Sequence, residues 1–400
     1  MGAGGTTRAY PDRWPHVFPN PDPRIPTVDF TWNWDLKPTS ERPRARDLGI
    51  RIGSLPTGSM NAIVDVPDVR VGHVSLINGE GPLVIGRGPV RTGVTAIKPH
   101  GGNPFQEKVC AAVHVINAFG KSVGLAQVVE LGCIETPIML TNTLNVWSVA
   151  DATVDWVADR NPGVYSFNPV VGECNDGSLN DILGRHVKPA HVLEALDSAR
   201  DDDVREGNVG AGVGMTGFGW KGGIGTASRT GICGSGTVTV GAMVLTNTGS
   251  ASELRIDGVP IGHTLKPTPA KPVEGSIMIV IGTDAPLSSR QLGRIARRGA
   301  FGLARAGATA SHGSGDFVIA FTNGNRISAD GRQSAGPEGF LPEPELSRLF
   351  SCAIEAVEEA VVNSLLRAQT VVGREGTVRE AIPVDRVKDL MRVHRRLLED

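Results

Sequence analysis

The strongest constraint on the fold is a series of short Val/Ile-rich runs, each closed by Gly, Pro, Asn or Asp: NAIVDVP, VRVGHVSLI, GVTAIKP, AAVHVIN, TPIMLTN, VTVGAMVLTN, ELRIDGVPIG, GSIMIVIGT and GDFVIAFTN. Such runs read as strands, because β-branched side chains suit a pleated surface and the punctuating residues end it. Between and after them, residues 121–131, 144–159, 189–199, 288–306, 344–369 and 383–398 carry apolar residues at spacings of three and four, the period of an amphipathic helix. Strands interleaved with covering helices predict a layered α/β protein. Within its 400 residues, 46–400 would form one large domain. It is preceded by an extended arm over 1–45, where eight prolines and Trp14, Trp32 and Trp34 show no helical or strand period.

Charge and cysteine usage remove several function classes. Forty basic and 42 acidic side chains, scattered along the chain, make no field that would hold nucleic acid or anionic lipid. A small neutral or zwitterionic substrate fits this balance better. Cys110, Cys133, Cys174, Cys233 and Cys352 are widely spaced and odd in number, without a C-x-x-C pair, which argues against a disulfide framework or a zinc site. The start has no apolar signal core, and no stretch of about twenty apolar residues occurs. The expectation is a cytoplasmic protein that neither binds nor spans a membrane. The histidines form no metal-ligand pair, and Gly210-Ala211-Gly212-Val213-Gly214 lacks the spacing of a dinucleotide loop, so no cofactor is expected.

Three apolar runs end in the same dipeptide, Thr141-Asn142, Thr246-Asn247 and Thr322-Asn323. Thr and Asn end strands well in any protein, but strands sharing a sheet could also bring these groups to a common rim. After the second dipeptide comes Thr248-Gly249-Ser250. A serine behind a glycine can attack the carbonyl before it, since the absent Cβ leaves that carbonyl open and permits a strained turn. The acyl group then moves from nitrogen to oxygen, water hydrolyses the ester, and the freed amine, with a pKa of about 7.7–8.0, suits a general base. Taken alone, this stretch is also an ordinary turn.

Ser122 is a rival nucleophile, because Gly120-Lys121-Ser122-Val123-Gly124 matches G-x-S-x-G between a strand-like run and a helical pattern, the setting of a nucleophile elbow. The same residues could instead pack a helix closely on a sheet. His312-Gly-Ser314-Gly-Asp316 is polar and Gly-rich ahead of a strand, so it could line a pocket or simply turn the chain.

The runs GVTAIKPHGGNPF through IMLTNTL, GNVGAGVGMTGFGWKGGIGTASR, TNTGSASELRIDGVPIG and IVIGTDAPLSSRQLGRIARRGAFGLARAGA together resemble the DmpA family of self-processing aminopeptidases, over about residues 48–370. That family includes L-aminopeptidase/D-amidase-esterases and β-peptidyl aminopeptidases. The resemblance implies an α-β-β-α sandwich like that of N-terminal-nucleophile hydrolases. It also implies cleavage between Gly249 and Ser250 into chains 1–249 and 250–400, with Ser250 as nucleophile. By the same resemblance Asn208 would bind the oxyanion, and Asp284 would hold the new amine. Glu135 would meet the substrate's amine, although it could equally be structural, and Trp147 would line the pocket or pack its helix. The function expected is removal of small N-terminal residues from short peptides, amides or esters by a homotetramer. An esterase using Ser122 and a non-catalytic binder of the same fold are the alternatives.

Overall fold

Along β10 (Gly236–Asn247), Val240, Ala242 and Val244 pack to one side, and Met243 and Leu245 to the other; all five are buried. A strand covered on both faces must lie inside a layered stack, and its near-continuous apolar run follows from that position. The structure, a computed structural model, describes residues 42–234, 236–268, 275–330, 333–334 and 339–398. The sequence-predicted arm therefore lies outside the described residues as far as residue 41. Its last residues belong to the fold: Ala45 is fully buried, and Arg44 forms an ion pair with Glu206 at 2.8 Å.

One sheet has the order β1 (Arg70–Asn78), β2 (Val90–Lys98), β5 (Ile138–Asn142) and β6 (Val170–Cys174). The other runs β4 (Cys133–Ile134), β3 (Glu107–Ala118), β12 (Gly315–Ser328), β11 (Ser276–Thr283), β10 and β9 (Gly223–Cys233), with β13 (Gln333–Ser334) against the far end of β12. Small two-stranded pairs join β7 (Thr216–Gly217) to β8 (Trp220–Lys221) and β14 (Val371–Val372) to β15 (Val378–Arg379). The sheets face each other through Val71, Ile97, Leu140 and Val170 on one side and Met243, Leu245, Met278 and Phe321 on the other. Helices α2 (Val146–Arg160) and α3 (Pro189–Asp197) cover the first sheet. Helices α5 (Ser289–Arg305) and α6 (Leu346–Leu366) cover the second. This is the α-β-β-α sandwich that the resemblance implied. Two short helices, α1 (Leu125–Leu131) and α4 (Ile261–Thr264), and α7 (Val384–Val393) complete the α-helices among the described residues.

The two parallel pairs have the expected crossovers: α2 carries the chain from β5 to β6, and α5 from β11 to β12. Helix α5 starts where Ser288 and Gln291 cap each other, with Gln291 N–H to Ser288 Oγ at 3.3 Å and Ser288 N–H to Gln291 Oε1 at 3.0 Å. Among the described residues no helix is long and apolar enough to cross a membrane.

Two expected strands are not strands. Over residues 61–67 the chain makes a 3-10 turn, Ile63–Asp65, because the Asp65 carboxylate accepts the Met60 and Ala62 N–H groups, both at 2.9 Å, and draws the backbone around itself. In ELRIDGVPIG, Asp257 and Gly258 both have positive φ (47° and 77°), the geometry of a tight hairpin turn. Only a single bridge, Ile256 to Val259, flanks that turn before α4 begins. Conversely, β9 is a full strand without an apolar run. It lies so close to α6 that a Cβ on Gly225 would stand 2.0 Å from the Ala360 carbonyl oxygen, so small residues are required there.

Candidate active site

The end of β10 is held by polar contacts on every side. Asn247 accepts the Thr216 N–H at Oδ1 (2.7 Å) and donates from Nδ2 to the Asn175 carbonyl (3.1 Å), while the Thr248 carbonyl accepts the Phe218 N–H at 2.8 Å. Thr246, Asn247 and Thr248 are buried. The chain then emerges through Gly249, at φ 85°, where an added Cβ would meet the Phe218 ring at 2.5 Å. Ser250 is exposed at the head of a 3-10 turn, Ala251–Glu253. Its N–H donates to Glu253 Oε2 at 2.9 Å. The serine is thus presented on a fixed strand end, behind a residue that must be glycine.

A cavity of about 910 Å³ opens between the ends of the two sheets, lined in part by Lys121, Glu173, Asn175, Gly219, Ser276 and Gly313. Its lining residue Gly219 adjoins the turn after Ser250, since a Cβ built on Gly219 would stand 3.3 Å from the Ala251 Cβ. Glu173, at the end of β6, is buried on its wall. One carboxylate oxygen accepts the Lys121 N–H at 2.8 Å and the other accepts the Thr143 hydroxyl. Both donors are neutral, so the carboxylate's charge is solvated by dipoles and can still meet a cation.

The register places a second acid nearby. Ser276 stands opposite both Asn247 and Gly315, and Ile277 opposite both Thr246 and Asp316. Asp316 is therefore two strands from Thr246, about 10 Å away. It is fully buried; Ser314 donates to its Oδ1 at 2.7 Å, and its Oδ2 has no partner among the described residues. Burial raises its pKa. The Thr246 hydroxyl, in the same row, is likewise unpartnered. Beneath the strand end, the fully buried Lys221 donates to the Gly212 and Gly222 carbonyls at 2.9 and 2.7 Å, and burial lowers its pKa to about 7.

Only part of the expected site converges. Thr141-Asn142 and Thr246-Asn247 share a rim: Asn142 pairs with Cys174 in the β5–β6 register, next to the Asn175 carbonyl that Asn247 bonds. Thr322 pairs with Thr283, at the far end of β11. Asp284 lies at that far end too, eight residues from Ser276 and about 26 Å along the strand. There its carboxylate accepts the Thr239 N–H at 2.7 Å. It cannot touch an amine on Ser250. Glu135 is neutralised by Lys108 at 2.7 Å and also accepts from Gln127 and Asn168, away from the cavity lining. Asn208 closes on the Gln369 backbone, donating to its carbonyl at 2.9 Å and accepting its N–H at 3.2 Å. Trp147 is 55% exposed on α2 and is not among the residues lining the cavity.

Ser122 is not at an elbow. Helix α1 begins only at Leu125, and the Ser122 hydroxyl points to Met278 Sδ at 3.6 Å. The flanking glycines serve packing: a Cβ on Gly120 would strike the Phe317 ring, and one on Gly124 the Pro169 carbonyl oxygen. Glu173 carries no signal in the sequence, whereas the polar HGSGD stretch ahead of β12 marks Ser314 and Asp316 only as a possible pocket lining.

The chain as a whole is similar to several known proteins. The family model described as Peptidase family S58 matches residues 61–379. The beta-peptidyl aminopeptidase BapA of Sphingosinicella microcystinivorans is 43% identical over 377 residues, covering 90% of this chain and 94% of that one. Among solved structures, a protein from Pyrococcus horikoshii OT3 superposes with a TM-score of 0.85 at 49% identity, over 89% of this chain and 100% of that one. The L-aminopeptidase D-Ala-esterase/amidase of Ochrobactrum anthropi, described as a prototype of the serine aminopeptidases and a new variant of the Ntn hydrolase fold, superposes at 0.83 with 37% identity, over 89% and 100%. With the family model spanning most of the chain and the sandwich reproduced in its relatives, this protein is a member of peptidase family S58 and a hydrolase.

Proposed function

We propose that this aminopeptidase activates itself by cleaving between Gly249 and Ser250, and then uses Ser250 to release small N-terminal residues from short peptides, amides or esters. The carrying observation is the geometry at Gly249: a left-handed turn against the Phe218 ring that presents the scissile carbonyl just ahead of an exposed serine. Glycine adopts that conformation without the penalty other residues meet. In the cut, Ser250 Oγ bonds to the Gly249 carbonyl carbon, the C–N bond breaks, and the hydroxyl proton passes to the leaving nitrogen. Water then hydrolyses the ester and restores the hydroxyl. The released amine becomes the general base for the same hydroxyl toward substrate, so acyl transfer proceeds first to serine and then to water.

The adjoining cavity supplies the substrate's place. Glu173 is its buried carboxylate with no cationic partner among the described residues, and a substrate bearing a free amino terminus brings a positive charge to it. Assembly as a homotetramer in the cytoplasm completes this reading, and light scattering of the purified protein checks the assembly. The deciding experiment is intact-mass spectrometry with an assay on aminoacyl p-nitroanilides and amides. The reading expects masses for chains 1–249 and 250–400 with activity in the native protein, and one inactive chain in Ser250→Ala. An uncut native chain that hydrolyses substrate would end it.

A further inference from the structure

The freed amine of Ser250 needs a partner to hold it, and the carboxylate expected for that task, Asp284, is at the opposite end of β11. Another carboxylate is already in contact. In the turn that Ser250 heads, Glu253 Oε2 accepts the Ser250 N–H at 2.9 Å, while the Thr309 hydroxyl donates to Glu253 Oε1 at 3.1 Å. Both carboxylate oxygens are therefore tied. The loop after α5 that carries Thr309 is tightly docked: the Arg255 N–H donates to the Ala306 carbonyl at 2.9 Å, and a Cβ on Gly307 would stand 2.0 Å from the Glu253 carbonyl oxygen.

We propose that Glu253 is the positioning residue for the amine that Ser250 acquires, with Thr309 fixing its carboxylate. This rests on the proposed cleavage. In the uncut chain Glu253 holds the scissile nitrogen by its N–H. As the C–N bond breaks and the Oγ proton arrives, the same oxygen is in place for the new amine, and it keeps that nitrogen near Oγ afterwards. Glutamate at the third position of such a turn is also a common structural cap, but glutamine caps equally well. Glu253→Gln therefore preserves the cap and removes only the charge.

The charge has a readout of its own. A carboxylate beside an ammonium favours the protonated form, and the base must be unprotonated to act. Removing that carboxylate shifts the acidic limb of the kcat/KM profile to lower pH. The other groups facing this cleft are Arg255 and His263 from the same segment; α5 contributes Ala300, Leu303 and Ala304, and β3 contributes Ile116, none of which titrates. His263→Gln in both backgrounds is the control for that neighbouring side chain.

The experiment compares native protein, Glu253→Gln and Thr309→Val by intact mass and by kcat/KM against pH. The expected result is cleavage in all three, with the acidic limb lowered by roughly 0.5–1 pH unit in Glu253→Gln and by less in Thr309→Val. If Glu253→Gln does not cut, Thr309→Val alone carries the comparison. Cleavage with an unmoved limb overturns the role of Glu253 while leaving the cleavage reading intact. A native protein that stays whole overturns both.

Discussion

A Cβ built on Gly249 would lie 2.5 Å from Phe218 Cδ1, and the Phe218 N–H in turn holds the Thr248 carbonyl. The aromatic ring and the glycine thus define the turn before Ser250 together. Gly249→Ala has to adopt the left-handed region, at a cost of roughly 1–2 kcal/mol, and also displace a buried ring. The expected outcome is a folded protein whose cleavage is slowed at least tenfold, followed as the uncut mass over time. Cleavage at the native rate would show that the turn does not control the reaction.

Glu173 differs from Glu135 in what meets it: Lys108 sits on Glu135, whereas among the described residues Glu173 meets a backbone N–H and a hydroxyl. Glu173→Gln retains an acceptor but loses the charge. For substrates with a free amino terminus, kcat/KM is expected to fall about 10- to 100-fold, mostly through KM, the scale of a hydrogen bond to a charged group. N-acetylated analogues, which carry no charge, should lose nothing further. Equal losses for both classes would remove Glu173 from substrate recognition.

Much of the sandwich was legible because both sheets are buried and their strands are mostly Val/Ile runs. All six helical stretches read from the sequence contain helices. Strand direction was not legible, and it decides the site. Because β12 runs parallel to β11 and antiparallel to β10, the ends of β10 and β12 point opposite ways. Thr322-Asn323 and Asp284 are thereby sent away from Ser250, while Ser314 and Asp316, at the start of β12, are brought toward it. Strand β9 lacks a strand-like pattern because contact with α6 demands glycine where such a pattern has Val. Glu135 and Glu173 are indistinguishable in one dimension; only the position of Lys108 separates them.

The segment preceding β1 is fastened to α6 by buried charge. Arg229 on β9, with no exposed surface, pairs with Glu355 at 3.0 Å and Glu359 at 2.6 Å, and Glu359 also meets Arg46 and Asn61. Burial alone would raise the pKa of Glu359, but Arg229 and Arg46 beside it prevail, and the carboxyl titrates below its usual 4.5. Arg229→Met takes the cation from buried Glu355 and leaves Glu359 with Arg46 alone, and stability should fall by about 3–5 kcal/mol at pH 7 in a denaturant titration. In the native protein, the contribution of Glu359 is present above pH 4.5 and is lost as pH drops through its lower folded value.

Lys221 has the opposite sign. Its unfolded pKa is 10.5 and its folded value about 7, because burial disfavours the ammonium. Between these values the unfolded chain binds the extra proton, so native stability gains from this group as pH rises, and its penalty is fully present below pH 7. Lys221→Met removes that dependence, although it leaves the Gly212 and Gly222 carbonyls without their donor. The variant is expected to be less stable than the native protein at pH 9. The native-minus-variant difference should grow by about 2–3 kcal/mol from pH 7 to pH 9, as 1.36 kcal/mol per unit implies. Parallel stability curves over that range would mean that the amine stays protonated in the fold, its charge balanced by the nearby Asp176 carboxylate.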